Sequence, residues 1–177
     1  MSDPSATRGG IALLVIDMQR ALFAKATPIY RAEQLLANIG ALVARARAGG
    51  APVFYVQHAD KRDLAEGSDG WQLHPALQPL PGDGRIVKRH GSAFEVTTLA
   101  EELQVRGVTR VVVAGLVTHG CVKAACQGAL SLGYGVTLVA DGHSSYSQKA
   151  AELIEEWNGK LAAAGAEVRP SAEISFA

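Results

Sequence analysis

Cysteine is scarce in these 177 residues, with two in all. Two cysteines cannot build a disulfide framework, so the fold must rest on its core, and a reducing, cytoplasmic location is the expectation. Net charge is also missing: 17 basic residues cancel 17 acidic ones. A nucleic-acid module would show a basic excess, and a membrane-surface binder a polybasic patch, so neither partner is expected. No apolar run reaches the length of a membrane-spanning helix, and the opening MSDPSATRGG lacks a signal-peptide pattern. Residues 1–9 read as a flexible lead-in. What is present is apolar residue in quantity, 48%, enough for one sizeable core and one domain across 1–177.

The apolar residues alternate between short runs and helical stripes. Ile11–Ile16 is a continuous run, as in a strand buried on both faces. Leu35, Leu36, Ile39, Leu42, Val43 and Ala46 recur at helical spacing and stop at Gly49-Gly50. Further strands are predicted at Val53–Gln57, Ile86–Lys88, Val111–Val113, Val136–Val139 and near Val168. Helices are predicted from a Thr98/Glu101 capping box through Leu103, along Val122, Ala125, Cys126 and Ala129, and from Ala150 to Ala164. Between His58 and Gly84 periodicity fails, which marks a functional loop or lid. Strand–helix alternation predicts an α/β fold, a parallel sheet with helices on both faces. Ligands bind such sheets beyond the carboxyl ends of the strands.

Three reactive side chains fall there. Asp17 follows the first strand, Lys88 ends the third, and Cys121 follows the fourth at the head of a helix. A thiol in the first turn of a helix is favoured as thiolate by the helix dipole. A buried structural cysteine is the alternative reading, and it is the one that fits Cys126, which shares an apolar stripe with Val122 and Ala129. Asp17 alone could be a turn carboxylate and Lys88 a surface lysine. Together they make a Cys-Asp-Lys set in which the carboxylate moves the thiol proton and the ammonium steadies both anions. His58, His90, His119 and His143 also lie near strand ends. Each reads more readily as packed or hydrogen-bonded than as a base, although His119 could face the pocket.

The segments LLVIDMQ with Phe23 behind it, GWQLHPALQP, GDGRIVKRHGSAF, VVVAGLVTHGCV and LVADGHSSY, taken in order, resemble the isochorismatase-like cysteine hydrolase family, which includes nicotinamidases and N-carbamoylsarcosine amidohydrolase. The resemblance implies a three-layer Rossmann-like fold with a six-stranded sheet ordered 3-2-1-4-5-6 and Asp17, Lys88 and Cys121 as catalytic triad. It implies a cis peptide at Leu116–Val117 and an oxyanion hole from the N–H groups of Val117 and Cys121. The implied reaction is attack of Cys121 on the carbonyl of a small amide, carbamoyl or ureido substrate, with a thioester intermediate. Gln19, Phe23, Trp71, Thr118 and His119 are candidate substrate-binding residues, since they flank the motifs. The D-x-H pattern of nicotinamidase metal sites is replaced by His58-Ala59-Asp60, so no metal and no cofactor are expected; His58 and His74 are the residues through which a metal would enter. A homo-oligomer, dimer or tetramer, is expected from the resemblance and the apolar composition. An ether hydrolase of the isochorismatase type, or a redox-active cysteine on a pseudoenzyme scaffold, are the alternative functions.

Overall fold

A computed structural model describes residues 10–177, so the predicted flexible lead-in at 1–9 lies outside the described residues. Six parallel strands form one sheet: β1 (Gly10–Ile16), β2 (Val53–His58), β3 (Gly84–Lys88), β4 (Val108–Leu116), β5 (Gly135–Ser144) and β6 (Glu167–Arg169). Their spatial order is β3-β2-β1-β4-β5-β6, as expected. The helices are α1 (Arg20–Phe23), α2 (Ala32–Ala48), α3 (Leu99–Val105), α4 (Lys123–Ser131) and α5 (Ala150–Ala163).

Strand periodicity explains the layers. Along β1, Leu13 and Val15 face a core shared with Leu35, Ile39 and Leu42 of α2. Ala12, Leu14 and Ile16 point the other way, among Leu99 and Leu103 of α3, Ala125, Cys126 and Ala129 of α4, and Leu161 of α5. A strand apolar on both faces therefore sits between two helical layers, which is what the unbroken run at Ile11–Ile16 encoded. The chain leaves β1 for β2 on one side and enters β4 on the other, so strand order reverses between β1 and β4.

The glycines after α2 act as predicted. Gly50 takes φ 73°, and Ala51 N–H returns to Ala46 O at 2.8 Å while Gly50 N–H reaches Arg47 O at 3.1 Å. These two bonds close the helix and release the chain into β2. Gly115 (φ 130°) in β4 lies so close to β1 that an added Cβ would meet the Ile16 backbone.

Two expectations need correction. The Thr98/Glu101 capping box does not form: Thr98 has φ −89° and ψ 3° and makes no side-chain cap bond. Capping needs an extended residue that aims its hydroxyl at the next turn, and the chain is already turning at Thr98. Thr97 Oγ1 acts instead, accepting from Leu99 N–H at 3.3 Å and donating to Ala93 O at 2.6 Å. The long loop after β2 is not a free lid. Leu64, Leu73 and Leu77 are buried in the α2-side core, and Arg20, Ala21 and His74 N–H groups bond across to Gln72, Gly70 and Met18. The segment 170–177 also packs: Ile174 and Phe176 are buried, and Arg45 of α2 donates to Ile174 O (2.9 Å) and Ser171 O (2.6 Å). Among the described residues, no helix is long and apolar enough to cross a membrane.

Candidate active site

The reversal point between β1 and β4 gathers the predicted residues. Asp17 is the first residue past β1, in the left-handed region at φ 49°, a conformation Asp tolerates better than most residues. Lys88 ends β3, and one strand, β2, separates it from β1, a gap of two strand spacings or roughly 9–10 Å. The long lysine side chain and the Asp17 carboxylate bridge that gap between them. The fully buried Lys88 Nζ lies 3.1 Å from Asp17 Oδ2 and 3.2 Å from Cys121 Sγ. Cys121 lies in a wide, π-type turn, Thr118–Val122, kinked at Gly120 and leading into α4. The Leu116–Val117 peptide before it is cis, at the expected position.

His58 completes the group. It pairs in register with Lys88 across β2 and β3, and its Nδ1 lies 3.0 Å from Lys88 Nζ. The ammonium has only protons to offer, so Nδ1 accepts and Nε2 carries the ring hydrogen. Burial and the Lys88 charge lower the His58 pKa, which favours the neutral ring. Donor atoms of Asp17, His58 and Cys121 all lie within 4.8 Å of one another. Taken singly, His58 looked like a packed histidine. The signal that marks it is the strand order, which puts β2 between the strands bearing Asp17 and Lys88.

The electrostatics revise one expectation. Burial raises the Asp17 pKa against the pull of Lys88. The Cys121 thiol is pushed up to about 11, first by burial and then by the Asp17 charge, with Lys88 opposing. Desolvation and a neighbouring carboxylate thus push the thiol in the direction opposite to the helix end. Cys126, fully buried, is pushed up to about 12 by burial alone, in keeping with core packing.

The candidate substrate-binding residues divide. Gln19 is fully buried, and its amide serves the protein: Nε2 donates to His58 O (2.9 Å) and Trp71 O (3.0 Å), and Oε1 accepts from His58 N–H (2.9 Å). Thr118 is fully buried too, bonded to His143 Nδ1 at 2.8 Å. Asn158 donates its Nδ2 to Ala140 O, so its Oδ1 accepts from His143 Nε2 (2.8 Å) and Thr118 must donate to Nδ1. Both side chains, Gln19 and Thr118, make their hydrogen bonds within the protein. Phe23 packs its ring on His74, centroids 4.7 Å apart. Trp71 Nε1 and His119 Nδ1 are buried without a hydrogen-bond partner among the described residues.

A D-x-H metal centre is not built after β2. Asp60 Oδ1 turns back to accept from its own loop at Arg62 (2.7 Å) and Leu64 (2.9 Å). His74 Nδ1 accepts from Ala76 N–H (3.1 Å).

Comparison with known proteins identifies the family and the fold. Residues 11–172 match the model of the isochorismatase domain. Streptothricin hydrolase of Streptomyces noursei is 34% identical over 147 residues, covering 82% of this chain but only 53% of that protein's length. An uncharacterised isochorismatase-family protein of Bacillus subtilis (strain 168) is 34% identical over 135 residues, 73% of this chain and 75% of that one. The crystal structure of an isochorismatase from Pseudomonas putida KT2440 superposes with a TM-score of 0.86 at 27% identity, covering 98% of this chain and 94% of that one. With an isochorismatase domain spanning nearly all of its length and the same fold as solved members, the chain belongs to the isochorismatase-like hydrolase family.

Proposed function

We propose that the protein is a cysteine hydrolase that cleaves the C–N bond of a small amide, carbamoyl or ureido substrate through a thioester on Cys121. The observation that carries this reading is the placing of one buried ammonium within 3.2 Å of both a carboxylate and a thiol. Asp17 Oδ1 is buried and accepts no hydrogen bond from the other described residues, which leaves it free to receive the thiol proton as sulfur attacks the carbonyl. A carboxylate whose basicity is raised by burial suits that task. Lys88 holds Asp17 Oδ2 and offsets the charge developing on sulfur. The N–H groups of Val117 and Cys121 receive the carbonyl oxygen as it becomes an oxyanion. Asp17 then returns the proton to the departing amine, and a water deprotonated by Asp17 hydrolyses the thioester. Trp71 and His119, each with an unmet buried polar atom, are assigned to substrate recognition and suit a ligand that is small and polar.

The test is a panel of amides, carbamates and ureas incubated with the protein. Ammonia or amine release is expected, with a Cys121 acyl adduct by mass spectrometry and loss of turnover by at least about 1,000-fold in Cys121→Ala. Amine release that survives Cys121→Ala refutes the thioester. No turnover with a readily reversible sulfenic acid at Cys121 assigns a redox role instead. A homo-oligomer, dimer or tetramer, is part of the same proposal; sedimentation as an 18.5 kDa monomer at micromolar concentration would overturn it.

A further inference from the structure

Lys88 Nζ sits 3.1 Å from Asp17 Oδ2, 3.0 Å from His58 Nδ1 and 3.2 Å from Cys121 Sγ. Those three groups are an oxygen, an imidazole nitrogen and a thiol sulfur, the donor set of a three-ligand zinc site with an open fourth position. Their donor atoms lie within 4.8 Å of one another. Ligands around tetrahedral zinc sit about 3.3–3.8 Å apart, so binding would require a contraction of roughly 1 Å. The ammonium is thus equidistant from three metal donors, in the place a metal ion would occupy. It is also fully buried, with a further bond to His90 O at 3.2 Å, so it cannot swing out into solvent to make room.

We propose that Asp17, His58 and Cys121 form a latent site for a thiophilic divalent ion, and that the Lys88 ammonium fills its centre and keeps such ions off the Cys121 sulfur. The inference rests on the reading of Cys121 as nucleophile for its significance, but not for its geometry. The physical basis is exclusion by like charge and by volume. A dication at the centre would share that position with the ammonium, and within a buried site their repulsion is little screened. Removing the lysine side chain leaves a carboxylate, an imidazole and a thiol around a space with no compensating cation. An ion entering there bonds to the Cys121 sulfur and displaces the thiol proton to solvent, while His58 gives its Nδ1 lone pair and Asp17 a carboxylate oxygen.

The experiment is a titration of chelator-treated protein with Co²⁺, followed by Zn²⁺ competition, on the wild type, Lys88→Ala, and Lys88→Ala combined with either Cys121→Ser or His58→Ala. One equivalent of Co²⁺ is expected in Lys88→Ala, with a thiolate-to-cobalt charge-transfer band in the near ultraviolet. Its affinity should exceed that of the wild type by on the order of 100-fold or more. The band should vanish with Cys121→Ser, and affinity should fall with His58→Ala. Equal affinity in the wild type and Lys88→Ala overturns the proposal, as does a band that persists without Cys121 or is indifferent to His58. If Lys88→Ala is unfolded without metal, one equivalent of Zn²⁺ should restore its thermal transition, and failure to restore it counts against the site. These readouts need no substrate. Hydrolysis by the wild type in chelator is scored separately, so the latent site and the hydrolase reading can fail independently.

Discussion

Cys121 and Cys126 are five residues apart and chemically opposite. Cys126 is sealed in the core, whereas Cys121 is half-buried beside a carboxylate and an ammonium. With its pKa pushed up to about 11, the Cys121 thiol of the free protein stays protonated at neutral pH. Alkylation by iodoacetamide should therefore quicken about tenfold per unit from pH 7 to 10, without a plateau near neutrality; a plateau between pH 6 and 8 would show a resting thiolate. Asp17 acts in its ionised form in the proposed mechanism. Its pKa is raised above the ordinary 3.8, so the ionised fraction falls as pH drops through that raised value. The acid limb of kcat/KM should lie above pH 3.8, and a limb at or below that value would argue against Asp17 as the base. His58 became visible as a member of the site only through its neighbours; as an isolated letter in VQHAD it carries no such information.

The turn that presents Cys121 is held from behind by an element far away in sequence. Thr118 donates to His143 of β5, and His143 donates to Asn158 of α5. Burial lowers the His143 pKa, with Asn158 opposing. For a histidine depressed in the folded state, the unfolded chain binds more protons below the ordinary value of 6.5. Stability is then full above that value and declines as pH falls toward the folded pKa. His58 and His74 are lowered too and add in the same direction. The melting temperature should drop from pH 7 to pH 5, and His143→Gln should flatten that drop while costing about 1–3 kcal/mol at pH 7 through unpaired partners. An unchanged slope in His143→Gln would remove His143 from the account. Among the elements, the helical stripes and buried strands were readable, because period and burial are local properties. The capping box failed because its chemistry depends on a backbone angle that the preceding turn had already set.

At the scale of the molecule, the fold places an active-site candidate where two halves of the sheet diverge, and the C-terminal segment closes the core on the α2 side. Removing 171–177 would expose the surfaces now covered by Ile174 and Phe176 and release Arg45 from two carbonyls. A loss of about 3 kcal/mol or more is expected from the apolar burial, read as a lower denaturant midpoint. A midpoint unchanged by the truncation would mean the segment adds nothing to the core. The loop after β2 teaches the complementary point. Its lack of periodicity suggested a lid, yet leucines at 64, 73 and 77 anchor it, and Gln19 ties Trp71 and the β2 end together. Single apolar anchors in irregular backbone have no period by which to recognise them.

The chain by itself determined the alternation of strand and helix, the two-sided burial of β1, and the three reactive residues at strand ends, since each is written in consecutive letters. Only the tertiary structure decided that His58 joins them, that Gln19 and Thr118 make their hydrogen bonds within the protein, and that burial pushes the thiol up. The physical reason is the same in each case. Hydrogen-bond partners, desolvation and neighbouring charge arise from residues tens of positions apart, brought together only when the strands take their places in the sheet.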